Sequence, residues 1–444
     1  MNSTSLNITL PDRAMPNPTI SFLLLITLLL PWSAQSAPLT LIYSGDFNGE
    51  LEPCGCSEGG NYGGILRRST TLKALRSEQP DLVAISAGQL LANESSRDQL
   101  KSEYVLKGFS TFNYDAVALR WRDLAYGVEF IDGYNIPWLA GNWKGSGDTV
   151  TRSRKIERNG VTLRVFSWLN PKRSPFRQMD HSQWLTVDDM AVVQQGLKAA
   201  NERGELTVLL TAWPLRKVQR EFDLADVDIL VVRAGHEVFS DPQMAGDTLV
   251  LQPGSRGMRL GRVDLEFSDG KVDQYQHQVI EMPESVADDE MLREWYNDYN
   301  AKVKTAYLAE AEIKKALASG ERDYVGAESC ASCHQPQFDT WQGTKHATAF
   351  STLENVGKSF DPDCIVCHTV GFDQGGFIDF VITPELMNVQ CENCHGAGKA
   401  HIESKGEQAT VNQQMPSLVR CQQCHVGSHS PDFNFDTYWP KIAH

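Results

Sequence analysis

The pattern Cys-x-x-Cys-His occurs four times in the last 122 residues of this 444-residue chain, and it restricts the fold of that region more than any other feature. The copies begin 34, 27 and 30 residues apart. This pattern is the attachment signature of c-type haem, in which two thiols bond to the porphyrin and the histidine reaches the iron. Zinc sites or disulfides would give no reason for a histidine after every cysteine pair. We therefore predict four covalently bound haem c groups. The predicted attachment residues are Cys330, Cys333, Cys364, Cys367, Cys391, Cys394, Cys421 and Cys424, and the histidines of the motifs are His334, His368, His395 and His425.

Four further histidines in the same region are candidate second iron ligands: His346, His401, His429 and His444. Their number allows two imidazoles at every iron but does not require them. His401 and His429 follow a motif histidine by six and four residues, so each would have to wrap round a porphyrin edge to reach the same iron. We expect each to ligate a different haem. The alternative for each of the four is an exposed surface histidine, and chain ends such as His444 commonly fray.

The C-terminal block, residues 323–444, resembles the tetrahaem cytochrome c-554 family. The resemblance rests on residues 324–334 (YVGAESCASCH), 341–347 (WQGTKHA), 364–372 (CIVCHTVGF) and 391–401 (CENCHGAGKAH). It implies closely stacked haems, electron transfer, and distal ligation by His346 and His401. Some members of this family leave one iron five-coordinate. A mainly α-helical and irregular multihaem domain is the expected fold.

The charge of the chain limits its partners. The chain has 41 basic and 56 acidic residues, a net charge of −15, which argues against nucleic-acid binding. The block itself has 14 Asp and Glu against 6 Lys and Arg. We therefore expect redox partner proteins with basic docking faces.

An apolar run near the N-terminus predicts export. Residues 21–30 read SFLLLITLLL, and Pro31 and small residues follow. This resembles the core and cleavage zone of a signal peptide over residues 1–37, and it is short for a membrane span. The alternative, a buried core helix, fits a chain terminus poorly. We expect a periplasmic or otherwise exported protein without a membrane span in its mature chain.

Residues 38–283 alternate short β-branched runs with helical patterns, which predicts an α/β domain. Ser268-Asp269-Gly270 marks a hairpin between the last two strands. Residues 284–322 predict a helical linker. Its apolar residues recur on successive turns and should bury one stripe: Leu292, Trp295, Tyr299, Val303, Ala306 and Leu308.

This α/β region resembles the calcineurin-like metallophosphoesterases of the 5′-nucleotidase branch, which implies a two-sheet sandwich flanked by helices. The resemblance also implies two metals held by the motifs D-x-H, G-D, G-N-H-E, a lone His and G-H-x-H. Most of these ligands are replaced here, so we predict the fold without phosphoesterase activity. Arg122 is expected to place a fixed cation near the vacated metal site, where it can pair with Asp46 or Asp123. The corresponding residues are Asp46-Phe47-Asn48, Gly88-Gln89, Arg120-Trp121-Arg122-Asp123, Ala212 and Gly235-His236-Glu237-Val238.

Cys54 and Cys56 form a Cys-Gly-Cys loop after the first strand. Flanking glycines let such a loop expose both sulfurs. The loop is either a redox or sulfur-handling site that exchanges electrons with the haems, or a strained local disulfide without catalysis.

The sequence thus favours an exported tetrahaem electron carrier whose phosphoesterase-like domain serves docking or substrate placement. The alternative is a multihaem oxidoreductase for a small nitrogen or sulfur compound, which needs an open iron position or a working Cys54/Cys56 pair. Whether the chain is an enzyme is left open by the sequence.

Overall fold

The computed structural model describes residues 39–444 except 55–60, 146, 176–186, 234, 236–238, 269, 319, 427–428 and 431, with only the backbone of Cys54. The signal-peptide prediction for residues 1–37 therefore lies outside the described residues.

Two β-sheets pack face to face in the first part of the chain, and helices and loops form the last part. The strands are β1 Leu39–Ser44, β2 Pro53–Cys54, β3 Tyr62–Gly63, β4 Val83–Ser86, β5 Ala116–Ala118, β6 Trp138–Leu139, β7 Val150–Thr151, β8 Arg154–Arg158, β9 Val161–Ser167, β10 Leu206–Leu210, β11 Ile229–Val231, β12 Ser240–Ala245, β13 Thr248–Gln252, β14 Arg259–Ser268 and β15 Lys271–Glu281. The helices are α1 Ile65–Glu78, α2 Asp98–Phe109, α3 Val128–Ile131, α4 Ala191–Glu202, α5 Leu215–Glu221, α6 Glu290–Leu317, α7 Ala327–Gln342, α8 Ala349–Asn355, α9 Pro362–His368, α10 Cys391–His395, α11 Lys399–Glu403, α12 Ser417–Cys421 and α13 Phe435–Tyr438.

The two sheets and their helices form four layers. The first sheet has the order β15-β14-β1-β4-β5-β6-β7, and the second has the order β12-β13-β11-β10-β9-β8. Side chains alternate across each strand: Leu41 and Tyr43 pack between the sheets, whereas Ile42 faces the helices outside the first sheet. Outside the second sheet, α4 and α5 cover a third apolar cluster. The predicted two-sheet sandwich flanked by helices is confirmed.

Parallel pairing brings the carboxyl ends of β1, β4 and β5 to one edge of the first sheet. The loops after these strands carry Asp46, Gln89 and Arg120. Parallel strands gather functional loops at such an edge.

Helix α6 contacts both parts of the chain. Its N-terminal half packs Trp295 and Tyr299 against the α/β core. Tyr307, about two turns further on, belongs to a separate apolar cluster with Phe350, Ile365 and other residues of the cytochrome-like block. The stripe follows the predicted spacing except at Ala306 and Leu308, which are both exposed because Tyr307 faces inward instead. No helix of the described residues is long and apolar enough to cross a membrane.

Candidate functional site

The four Cys-x-x-Cys-His motifs lie on or beside short helices. The first lies within α7, where His334 leaves helical geometry at φ −122° and ψ 43°. The second ends α9, the third forms α10, and the fourth begins at the last residue of α12. One helical turn brings residues three apart to the same face. The spacing therefore lets both sulfurs of each motif reach one side of a ligand. All eight cysteines of the motifs are free thiols.

Three of the four motif histidines face another histidine of the block. The ring centres of His334 and His401 are 6.2 Å apart with planes 22° from parallel. The same distance is 6.1 Å for His346 and His425 and 6.1 Å for His395 and His444. Two imidazoles that each place a nitrogen about 2 Å from a metal between them have ring centres about 6 Å apart. These pairs fit an iron between the two rings.

His368, the histidine of the second motif, lacks such an imidazole pair among the described residues. Its Nδ1 lies 2.7 Å from the carbonyl oxygen of Ala349 and 3.5 Å from the hydroxyl of Thr352. His429 belongs to none of the three imidazole pairs described above. Its electrostatic neighbours include Arg256 and Asp363, so it lies between the α/β region and the second motif.

Backbone or hydroxyl oxygens hold the Nδ1 atoms of several of these rings. Nδ1 of His401 lies 2.6 Å from the carbonyl oxygen of Gln408, and Nδ1 of His425 lies 3.0 Å from the hydroxyl of Ser430. His444 has a similar contact of 2.9 Å with the carbonyl oxygen of Ile442. A carbonyl at Nδ1 fixes the tautomer that leaves Nε2 free for a metal. Burial lowers the pKa of His346, His368, His395 and His425, which favours the neutral imidazole.

Contacts between cysteines give the spatial order of the motifs. The thiols of Cys330 and Cys391 are close enough to shift each other's pKa, so the first motif adjoins the third. The thiols of Cys367 and Cys424 likewise shift each other's pKa, so the second adjoins the fourth. Cys394 and Cys421 interact electrostatically, which places the third beside the fourth. The motifs therefore follow one another in space as first, third, fourth and second.

Glu392, inside the third motif, forms hydrogen bonds with two other segments of the block. Its side chain is 4% exposed. Its carboxylate accepts backbone N–H groups from Val325 at 3.1 Å, Gly326 at 2.9 Å and Gly398 at 2.8 Å. The sequence analysis missed this residue, because a Glu between two motif cysteines carries no signal of its long-range partners.

The block also offers apolar surface. Of the fifteen exposed large apolar residues in the described part of the chain, ten lie between Val356 and Trp439. Concentrated apolar exposure marks a surface suited to an apolar ligand. Together with the free thiols and the imidazole pairs, this chemistry fits haem. When bound, haem supplies one-electron redox chemistry.

The corresponding residues of the phosphoesterase motifs do not fit a pair of metal ions. The side-chain amide of Gln89 donates to Oδ1 of Asn48 at 2.6 Å, so two of the ligand positions bond to each other. Ala212 has no ligand atom, and His236 and Val238 lie outside the described residues. Nowhere in the described part do three or more His, Cys, Asp or Glu form a group able to hold a metal ion.

Asp123 organises the loop after β4. Its carboxylate accepts backbone N–H groups from Gln89, Leu90, Leu91 and Arg120 at distances from 2.6 to 3.1 Å. Burial raises its pKa to about 6 against the effect of these donors. Gly88 has φ +89°, and a Cβ there would lie 1.8 Å from the carbonyl oxygen of Ala118.

Arg122 lies near enough for its charge to act on Asp46, as expected, but its ion pair is with Glu94 and not with Asp46 or Asp123. Arg122 Nη1 lies 3.3 Å from a carboxylate oxygen of Glu94, because the 3₁₀ turn Trp121–Leu124 directs its side chain there. Arg120 is the buried cation of this region. Burial is the main reason that the pKa of Asp46 is raised, and Arg120, Arg233 and Arg122 counteract it in that order.

The α/β region and the cytochrome-like block share charged contacts. Lys358 forms ion pairs with Glu52 and Asp361. Lys101 Nζ lies 2.8 Å from a carboxylate oxygen of Asp363, next to the second motif. The second motif therefore lies against the α/β region. Of the Cys54–Cys56 loop only the backbone of Cys54 is described, paired with Tyr62 in a small hairpin, and the prediction for its two sulfurs lies outside the described residues.

Comparison with known proteins supports this division. A family model described as cytochrome c554 and c-prime matches residues 329–396. The cytochrome c-554 of Nitrosomonas europaea is 35% identical over 140 residues, which cover 24% of this chain and 60% of that protein. The C-terminal block resembles cytochrome c-554. The chain spans about 60% of the length of this curated relative.

Solved structures match the α/β region. A 5′-nucleotidase precursor from Thermus thermophilus has a TM-score of 0.53 at 18% identity, covering 60% of this chain and 59% of that one. The sulfate thiohydrolase SoxB of Thermus thermophilus, solved with glycerol, has a TM-score of 0.51 at 16% identity, covering 60% of each chain. At these identities the likeness concerns the fold alone. The predicted fusion of a cytochrome c-554-like block to a 5′-nucleotidase-like fold is confirmed.

Proposed function

We propose that this protein is an exported tetrahaem c-type cytochrome that transfers electrons between redox partners. The observation that carries the proposal is the set of three imidazole pairs, each joining one motif histidine to a histidine elsewhere in the block at 6.1 to 6.2 Å. Four free cysteine pairs supply the attachment points. The compartment follows from the haem, since covalent attachment takes place outside the cytoplasm, and from the apolar run of residues 21–30.

The test of this proposal is the mass of the protein expressed with the export and haem-attachment machinery. We expect four haems per chain. Replacing Cys364 and Cys367 by Ser should remove one haem and leave three. The matched control replaces Cys54 and Cys56 by Ser and should keep all four. Fewer than four haems in the unmodified chain would contradict the proposal.

We propose docking or substrate placement, and not phosphate-ester hydrolysis, for the α/β domain. The link between Gln89 and Asn48 and the absence of a ligand atom at Ala212 support this role. Two-metal catalysis requires ligands that fix both ions. A phosphatase assay with added Mn²⁺ or Zn²⁺ should therefore show no turnover, and robust turnover would refute the assignment.

The proposed electron partners are proteins with basic docking faces. The block has a net charge of −8 from its 14 acidic and 6 basic residues. Long-range attraction of this kind weakens as salt screens it. Reduction by a basic redox protein should slow with rising ionic strength, whereas reduction by a neutral small molecule should not. Equal salt dependence for both would argue against charge-guided docking.

A second candidate function is an oxidoreductase that acts on a small nitrogen or sulfur compound. It is favoured by His368, which has no opposing imidazole among the residues described and whose Nδ1 is held by Ala349. An iron ligated there would keep one face free of protein imidazole. Carbon monoxide binding to the reduced protein, at one molecule per chain, would support this candidate. If carbon monoxide does not bind, electron transfer remains as the proposed function.

A further inference from the structure

Arg120 is a buried guanidinium whose outer end has no partner. Its side chain is 5% exposed, and Nε donates to the carbonyl oxygen of Ala87 at 2.7 Å. Neither Nη1 nor Nη2 has a hydrogen-bond partner among the described residues. Other arginines with a buried nitrogen there, such as Arg68 and Arg322, each leave only that single nitrogen unpartnered. Buried polar groups are nearly always hydrogen-bonded, so an exception of this size calls for a ligand.

The neighbouring carboxylates do not satisfy Arg120. Asp123 is occupied by its four backbone N–H groups. Asp46 is the carboxylate whose charge acts most strongly on Arg120, yet the two form no ion pair or hydrogen bond in the described structure. The guanidinium therefore lies near Asp46 at the strand ends with both terminal nitrogens available.

The charges of two more arginines also act on Asp46. The charges of Arg120, Arg233 and Arg122 all reach Asp46. Arg122 is tied to Glu94, whereas Arg233 is exposed. The three arginines stand at the edge where a two-metal site would use its cations to hold anionic oxygens. A fixed guanidinium binds two oxygens of one anion with two parallel N–H groups.

We propose that the cluster of Arg120, Arg122 and Arg233 binds a small oxyanion of sulfur, nitrogen or phosphorus, with Nη1 and Nη2 of Arg120 as the principal donors. The ligand needs at least two oxygens to use both nitrogens. The site adjoins the cytochrome-like block, because the backbone N–H of Arg256 donates to the carbonyl oxygen of Asp46 at 2.7 Å and the charge of Arg256 acts on His429. Anion binding is separate from haem binding, so either can fail alone.

The test is calorimetric titration of the haem-loaded, full-length protein with sulfite, sulfate, nitrite and phosphate at constant ionic strength, in a chloride background. We expect saturable binding of at least one of these anions, and the strongest identifies the ligand class. Arg120→Gln removes charge-assisted hydrogen bonds and should weaken binding roughly 10- to 100-fold. The matched control is Arg220→Gln, whose side chain is 71% exposed and pairs with Glu221, and it should bind as the unmodified protein does.

A second variant keeps the test decisive if Arg120→Gln does not fold. Arg233→Gln changes an exposed residue and should weaken binding only about two- to fivefold. The proposal is overturned if the unmodified protein binds none of the four anions. It is also overturned if Arg120→Gln folds and binds as well as the Arg220→Gln control does. If Arg120→Gln does not fold, unchanged binding by Arg233→Gln overturns the proposal.

Discussion

Replacing Glu392 by Gln tests whether one buried carboxylate holds the cytochrome-like block together. Oε1 accepts N–H groups from Val325 and Gly398, and Oε2 accepts N–H groups from Val325 and Gly326. Glutamine has only one acceptor oxygen, so its amide nitrogen must face the N–H of either Gly326 or Gly398. At least one buried N–H group is left unsatisfied, and the remaining bonds lose their charge.

A buried donor without a partner costs about 1–3 kcal/mol, and hydrogen bonds to charged groups contribute more than neutral ones. We therefore expect Glu392→Gln to lower the free energy of unfolding by about 2–4 kcal/mol. The assay is urea unfolding of the haem-loaded protein, followed by circular dichroism. The matched control is Glu354→Gln, since Glu354 is exposed on α8, and its cost should stay within about 0.5 kcal/mol. Equal stability of the two variants would refute the reasoning.

Three further predictions concern backbone geometry, pH and iron ligation. Gly88→Ala should abolish folding or lower the free energy of unfolding by about 3 kcal/mol or more, because its Cβ would lie 1.8 Å from a carbonyl oxygen. Gly160→Ala, at φ +78° with open space around it, should lower it by only about 1–2 kcal/mol. Hydrogen bonds from Arg164 and Arg203 lower the pKa of Glu205 from 4.5 to about 2, so this stabilisation is present above pH 4.5 and is lost as the pH falls through about 2. Arg164→Gln should therefore reduce the loss of stability between pH 6 and pH 3 in urea unfolding. His444→Ala should convert one low-spin haem to high spin in the electron paramagnetic resonance spectrum.

Each of these predictions has a defined opposite outcome. Gly88→Ala with the stability of Gly160→Ala would show that the loop after β4 can relax around a side chain. An unchanged pH profile in Arg164→Gln would show that Arg164 does not set the pKa of Glu205. For the histidine, the matched control is His277→Ala in the α/β region, where Nε2 lies 2.9 Å from the hydroxyl of Tyr43, and it should leave the number of low-spin haems unchanged. If His444→Ala behaves like this control, the pairing of His444 with His395 is wrong.

The sequence predicted the α/β sandwich well because a strand such as β1 is marked by a short apolar run, and such a run is a local feature of the sequence. It also named the candidate attachment cysteines, since haem attachment requires a fixed local spacing. It left the pairing of histidines open, because that depends on contacts between distant segments. His401 illustrates this point: it is six residues from His395 in sequence, yet its ring faces His334.

The sequence did not show which arginine is the buried cation near Asp46, for a related reason. Arg120 and Arg122 are two residues apart and chemically identical, and only the 3₁₀ turn that begins at Trp121 decides which one is buried. Arg120 faces inward beside Ala87, whereas Arg122 reaches Glu94. A local turn of this kind leaves no periodic pattern in the sequence.

The most direct test of the account is quantitative electron paramagnetic resonance of the oxidised protein, combined with its haem count. We predict four haems per chain, of which three are low-spin with two imidazole ligands and one, bound through His368, is high-spin. Fewer than four haems, or fewer than three low-spin haems, would contradict the imidazole pairing on which the proposed function rests, whereas four low-spin haems would contradict only the open iron at His368.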